Sequence, residues 1–398
     1  MNVPQLRFSE FDGEWESKEL KELVRYTKGF AFKSESFINK GYRVIRVSDL
    51  LENTIRRNNE QVFISSTDSE RYEKYKVVKD NILVTTVGSR PELTNSAVGR
   101  AIYISGNENL YLNQNLLKFE SNEDVNNFFI YTNLKMLKYR DYISKIQRGN
   151  ANQSNITVVD LLKYEIQVPS YEEQMKIGRF FFLLSKRIKK QQEKIKKLEE
   201  FRKGIMQKVF SQELRFKNEE GGEFQEWEEK KLHTLISSKR KGAEAKYSTS
   251  GNILLHNDYL EFEANIKYVE NKNDVIEEDI LILWDGSQAG NIYTKRTGVL
   301  GSTFVAISIK QSYDPYYIYH YLINKVLLIK VAWREGSGVP HVSKDFISNF
   351  SIKIPKSKKE QKMISNLLFE LEKKVKKEKE KLMSLEEQKQ GLIQGMFV

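Results

Sequence analysis

The chain has 398 residues, 39% of them hydrophobic and 30% charged, with a net charge of +11 and no cysteine. That length allows about two or three domains with real cores, and the missing cysteine excludes disulfides, thiolate metal sites and Cys nucleophiles and fits a reducing cytoplasm. No run reaches the ~18 apolar residues of a membrane span, no signal-peptide layout opens the chain, and the basic balance suggests a polyanionic partner.

Residues 1–20 read as a lead-in segment marked by Leu6-Arg7-Phe8, Trp15 and Leu20. The stretch 21–168 then mixes strand and helix signals. Tyr42 to Val47 is β-rich, and Asn81 to Val87 is a buried-strand run ending at Gly88-Ser89. Phe128 to Tyr142 reads as one helix, and Arg148 to Ser154 as a polar loop without apolar period.

From Glu172 to Phe210 no proline interrupts a 4-3 spacing of Ile177, Phe181, Leu184, Ile188, Gln191, Ile195, Leu198, Arg202, Ile205 and Val209. Eight of these ten are apolar, which predicts a long helix with a coiled-coil seam. At 1.5 Å per residue it would span roughly 58 Å, too long for a core helix, so it needs a partner.

That partner lies in the same chain. Adding 187 to each position gives Ile364, Leu368, Leu371, Val375, Glu378, Leu382, Leu385, Lys389, Leu392 and Met396, with polar breaks in register: Gln191 with Glu378, Arg202 with Lys389. Val168-Pro169 and Glu173-Gln174 recur as Ile354-Pro355 and Glu360-Gln361, and Leu6-Arg7-Phe8 with Trp15 recurs as Leu214-Arg215-Phe216 with Trp227. The chain is therefore a tandem duplication. Its expected parts are 1–168, 169–210, 211–354 and 355–398: lead-in and domain, then long helix, twice. If the two helices pair antiparallel, Gln191 faces Glu378, a polar pair that fixes register.

The second insert, 233–354, keeps the skeleton of the first. Asp279 to Leu283 leads to Gly286-Ser287, Tyr316 to Val331 reads as a helix, and Arg334 to His341 as a loop. The loops differ, as two modules with different targets would show and as neutral drift of surface loops would also leave them. Residues 170–210 carry +7 and 356–398 carry +4, so the helices hold the whole charge excess.

No Gly-Lys dipeptide occurs, so a Walker A loop is excluded, and GxGxxG is absent. The four histidines lack metal-site spacing. Asp314-Pro-Tyr-Tyr is a decoy for an amino-methyltransferase loop and reads better as a helix start. Glu277-Glu278-Asp279 reads as a turn. The chain does not look like an enzyme.

Two variable inserts, each followed by a Pro…Glu-Gln helix, with the unit duplicated, resemble the DNA-specificity subunit of Type I restriction-modification systems over essentially the whole chain. The resemblance implies a mixed α/β fold with two α+β target-recognition domains in pseudo-two-fold arrangement, separated by two long antiparallel coiled-coil helices. Each domain would read one half of a bipartite, asymmetric site in double-stranded DNA. The helices would dock two copies of a methyltransferase subunit that carries S-adenosylmethionine, and a restriction/translocase subunit using ATP and Mg would join for cleavage. No cofactor is then expected on this chain.

Within that frame the polar loops are the expected contacts. They are Lys28, Ser89, Arg90, Arg148, Asn150, Asn152 and Gln153 in the first domain, and Arg240, Lys241, Ser287, Gln288, Asn291, Arg334, Ser337 and His341 in the second. Arg and Lys suit guanine or phosphate; Asn and Gln suit adenine. Two rivals are a coiled-coil scaffold with protein-binding modules and a self-sufficient methyltransferase.

Overall fold

The computed structural model describes residues 2–57, 59–65, 67, 70–90, 98–106, 109–149, 153–336 and 338–398. The chain divides into two compact units, Met1–Gln192 with Lys381–Val398, and Glu193–Glu380.

Each unit is built on a four-stranded antiparallel sheet of the same order. In the first it runs Val24–Lys28, Leu116–Ser121, Ile82–Thr85, Ala101–Tyr103; in the second, Ile236–Lys241, Phe304–Ile309, Ile280–Leu283, Ile292–Tyr293. The strands Ile82–Thr85 and Ile280–Leu283 are buried at every residue, which explains why they read as unbroken apolar runs rather than alternating ones. A smaller sheet accompanies each, with a parallel pair inside it: Tyr42–Ile45 with Leu110–Leu112, and Asn252–Leu255 with Val299–Leu300.

Two expectations about secondary structure need correcting. The single helix 128–142 is two helices, Asn127–Asn133 and Leu137–Ile146, and its counterpart is Pro315–Asn324 followed by Val326–Ala332. The chain must turn there because the buried faces are out of phase: Phe128 to Leu134 is buried all round, after which only Tyr139 and Ile143 point inward. The polar loop after Arg148 is a small hairpin, Arg148–Gly149 with Ser154–Asn155, which continues onto Val87–Gly88.

The duplicated motifs are explained by contacts that occur once in each unit. Arg7 donates to both carboxylate oxygens of Glu173 at 2.8 Å and to the carbonyls of Asp12 and Gly13. Arg215 does the same with Glu360 at 3.2–3.3 Å and with the carbonyls of Phe224 and Gln225. Each arginine thereby ties the lead-in turn to the first turn of the long helix. The neighbouring glutamine donates to the proline carbonyl, Gln174 to Pro169 at 3.0 Å and Gln361 to Pro355 at 2.7 Å. Its oxygen accepts the backbone N–H of another helix's N-cap, Asn126 or Asp314. Asp314-Pro315 is accordingly a capped helix start, its carboxylate accepting from Tyr317 N at 2.8 Å.

The long helices are Tyr171–Phe210 and Lys358–Met396. All twenty seam positions are buried or half-buried. Within each unit the helices run antiparallel. In the first, Ser185 accepts from Lys389 at 3.0 Å and Gln192 donates to Glu386 at 3.2 Å; in the second, Lys194 meets Glu378 at 2.6 Å and Arg202 meets Glu372 at 3.0 Å. The matched polar breaks Arg202 and Lys389 thus make equivalent contacts with equivalent residues, since Glu372 and Ser185 also stand 187 apart. Gln191 is buried in the first unit. The helix ends complete the cores: Ile393, Met396 and Phe397 pack with Trp15 and Phe181, and Met206, Val209 and Phe210 pack with Tyr317 and Leu368.

In the second unit the seam abuts a fully buried His320, whose two ring nitrogens have no hydrogen-bond partner among the described residues, its Nδ1 lying 3.8 Å from a Glu372 carboxylate oxygen. Burial, with Arg202 and Lys295 nearby, holds its pKa down to about 3. Between roughly 6.5 and 3 the unfolded chain takes up a proton that the folded chain refuses, so stability falls as pH drops through that window. Denaturant titration should show the native chain losing about 2 kcal/mol more than His320→Leu between pH 7 and pH 5. Parallel losses in the two proteins would contradict this.

Candidate nucleic-acid interface

In each unit the residues expected to touch a ligand gather at one end of the main sheet. Strand Val24–Lys28 finishes opposite Leu117, and Ile82–Thr85 finishes opposite Leu116. Lys28 and the segment Val87–Arg90 therefore leave the sheet side by side, around the turn 113–115: Gly29 N donates to Leu116 O and Thr86 N to Asn115 O, both at 2.9 Å. The hairpin Arg148–Gly149 with Ser154–Asn155 pairs against Val87–Gly88 through its second strand, which sets Gln153 beside the Gly88–Ser89 segment and leaves Arg148 one strand further out, across some 60 residues of sequence. The Arg148 guanidinium is exposed and anchored on Asp160 at 2.9 Å, a carboxylate that also accepts from the Thr157 hydroxyl at 2.7 Å.

The second unit repeats this geometry with other side chains. Lys241 ends its strand opposite Val305, and Leu283 ends its own opposite Phe304. The hairpin Arg334–Glu335 with His341–Val342 docks on the segment that follows, through the Asp285–His341 bridge and the bond from Gly286 N to Pro340 O at 2.8 Å. Arg334 donates to Ser287 O at 3.3 Å, Lys330 to the Gln288 side chain at 3.3 Å, and Lys241 faces Asp285 at 3.8 Å. Lys239 lies 5.1 Å from the Trp284 ring centre. His341 sits 3.8 Å from Glu335.

The crowded backbone at this end demands glycine. A Cβ on Gly29 would fall 1.8 Å from Asn113 O, and one on Gly242 1.9 Å from Gly301 O. Lys28 and Lys241 each precede such a glycine, so both strands deliver a lysine to the same corner.

Two residues turn their side chains away from the cluster. The Arg240 guanidinium reaches the other way, to buried Asp279 at 2.5 Å and to Ser308, so it holds the sheet together. Asn291 spends its amide on Tyr293 and Glu261. Asn150, Asn152 and Ser337 lie outside the described residues. Gln114 and Asn115, not singled out in the sequence, are exposed in the turn 113–115 beside Lys28 and Thr86; their signal is a polar triplet, Asn113-Gln114-Asn115, between two apolar runs. Among the described residues no group of three or more His, Asp or Glu could hold a metal ion, and no helix is long and apolar enough to cross a membrane.

A doubled sheet domain offering a variable polar rim, followed each time by a long seam helix, defines a class of modular recognition proteins. The family model for the Type I restriction modification DNA specificity domain matches residues 12–200 and again 224–387. The chain therefore belongs to the Type I restriction-modification DNA specificity family. It is 22% identical over 415 aligned residues to the putative type I restriction enzyme MjaX specificity subunit of Methanocaldococcus jannaschii, covering 96% of this chain and 95% of that one. It is 33% identical over 147 residues to the MjaVIII specificity subunit of the same organism, but there spans only 34% of the relative and 36% of itself. Its fold matches the S subunit of a Type-I restriction-modification system from M. genitalium with TM-score 0.68 at 16% identity, over 100% of this chain and 99% of that one. A chain from a structure of type I R-M complex assembly and conformational transition matches with TM-score 0.50 at 14% identity, covering 95% and 96%.

Proposed function

We propose that this chain is the non-catalytic DNA-reading subunit of a Type I restriction-modification complex, each sheet rim reading one half of a bipartite, asymmetric site. The observation that carries this is the same sheet end, in both units, presenting two sequence-distant polar segments with different side chains. Direct readout needs polar groups held rigidly at base edges, and a rim fixed by paired strands supplies that. Arg148 and Arg334 are the strongest base or phosphate contacts, with Lys28, Ser89, Arg90, Gln153, Lys241, Ser287, Gln288 and His341 beside them. Arg240 is a framework residue.

The helices would set the distance between half-sites and dock two copies of a methyltransferase subunit, which brings S-adenosylmethionine; ATP and Mg would belong to the restriction subunit. The helix surface itself supports a repeated partner. Glu200, Gly204 and Gln207 of the first helix are identical to Glu387, Gly391 and Gln394 of the second, at spacings that place each trio on one face. Among the described residues nothing lies within 4 Å of a Cβ built on either glycine. Glycine inside a helix costs roughly 1 kcal/mol against alanine, and no packing among the described residues requires it here. A surface kept alike in both copies suits one protein met twice.

Co-expression with a methyltransferase subunit, followed by mapping of modified adenines, tests the reading: one bipartite motif is expected, and none would refute it. Inserting one heptad into both helices should lengthen the spacer between the half-sites; an unaltered spacer would refute the ruler role.

A further inference from the structure

The two long helices carry matched basic clusters in which all members but one are without an ion-pair partner among the described residues. They are Lys186, Arg187, Lys189 and Lys190 in the first unit, and Lys373, Lys374, Lys376 and Lys377 in the second, each 187 residues from its counterpart. All eight are exposed. At about 100° per residue, each cluster spreads over an arc of about 160° centred opposite the one residue it flanks, buried Ile188 or Val375. The cations therefore point away from the helix–helix seam.

Ion pairing inside the chain does not account for them. Among the described residues only Lys376 has a carboxylate partner, Glu263 at 3.3 Å. Of the acids beside the second cluster, Glu372 and Glu378 are turned inward, to Arg202 and Lys194, while Glu370 and Glu380 are exposed at its two ends. Beside the first cluster no acid occurs between Glu173 and Glu193, and exposed Glu193 stands at its end, three residues beyond Lys190 and four beyond Lys189. Like charges three and four apart on a helix repel, so each copy retains an arrangement that works against its own helix. The pairs elsewhere on the same helices show the ordinary alternative, with Lys379 set against Glu199 and Arg202 against Glu372.

We infer that these clusters bind the phosphate backbone of the duplex without regard to sequence, so that the helices grip DNA as well as measure it. The inference rests on the proposed reading of the chain as a DNA-recognition subunit. Charge complementarity selects the partner: four exposed cations, with carboxylates only at the cluster ends, Glu193 beside the first and Glu370 and Glu380 beside the second, fit a polyanion, whereas the trio Glu200, Gly204 and Gln207, which carries no cation, fits a protein. Phosphate contacts position a protein and add affinity but carry no base information. The clusters would thus raise affinity for any DNA lying between or beside the half-sites.

The test uses the complex assembled with its methyltransferase subunit, on duplex DNA containing the mapped site. Two variants are compared with the native complex, K186Q/R187Q/K190Q and K373Q/K374Q/K377Q; glutamine keeps helix propensity and removes the charge. Removing one cation–phosphate pair should flatten the slope of log affinity against log salt by about 0.9. Each triple variant is expected to flatten it by at least that much while the modified motif stays the same. A second arm uses the native complex on DNA whose backbone outside the half-sites carries neutral methylphosphonates. It should reproduce the flattening, and combining it with the variants should add little.

An unchanged slope in both arms would overturn the inference while leaving the reading of the rims intact. Variants that no longer assemble with the methyltransferase, together with a native complex indifferent to methylphosphonates, would assign the clusters to the protein partner instead. Absence of any site-specific affinity in the native complex would sink the underlying reading itself.

Discussion

Arg7→Met should destabilise the first unit by about 3–5 kcal/mol, because it strands a carboxylate that the fold has removed from water. Glu173 is 1% exposed and is held by two parallel bonds from one guanidinium, with both N···O distances at 2.8 Å. The same guanidinium carries the lead-in turn through Asp12 and Gly13, so its loss also frees the segment that places Trp15 in the core. Glu173→Gln should cost much less, since an amide keeps part of the hydrogen bonding and no charge is left buried. Replacing both partners by apolar residues, Arg7→Met with Glu173→Leu, should recover most of the loss, because a buried ion pair contributes little net stability against a well-packed apolar pair. Denaturant unfolding of the native chain, Arg7→Met, Glu173→Leu and the double variant gives the cycle. Equal stability of native chain and Arg7→Met would show that the repeated Arg–Glu contact is ornamental, and Arg215 with Glu360 offers an independent repeat of the measurement.

The second large effect is expected from Phe181→Ala, at about 3–5 kcal/mol. Phe181 is fully buried, and its ring lies 5.7 Å from that of Phe397. The side chain therefore joins the start of one long helix to the end of the other and to the first core. Truncating it leaves a void that the rigid surroundings of Trp15 and Phe129 cannot fill by collapse. Beyond the drop in stability, amide exchange should accelerate at residues 393–397, which hold their place through that core. A variant with native exchange there would mean that the helix end is anchored by something other than this packing.

The parts of the fold that were legible in the sequence are those governed by period. The seam from Ile177 to Val209 and its copy from Ile364 to Met396 were readable because a helix–helix contact repeats every seven residues. Buried strands such as Ile82–Thr85 announced themselves by composition. What stayed hidden was set by partners distant in sequence. The hairpin Arg148–Asn155 has strands of two residues each and exists because it can pair with Val87–Gly88, so no local pattern marks it. Arg240 resembled a ligand-binding arginine until its partner, Asp279, appeared 39 residues away. Arg7 and Glu173 were visible as repeated letters, 166 residues apart, but not as a pair. The rim itself was legible in part: its segments could be named from turn chemistry, while their convergence required the sheet register.

On the proposed reading the two rims act independently. The most direct measurement maps the modified sequence for complexes carrying Arg148→Ala or Arg334→Ala, beside the native one. Each change is expected to relax base preference in one half of the bipartite motif and to weaken binding by about 1–3 kcal/mol, with the other half and the spacer unchanged. If either change blurs both halves together, or neither alters the motif, the rims are not separate readers.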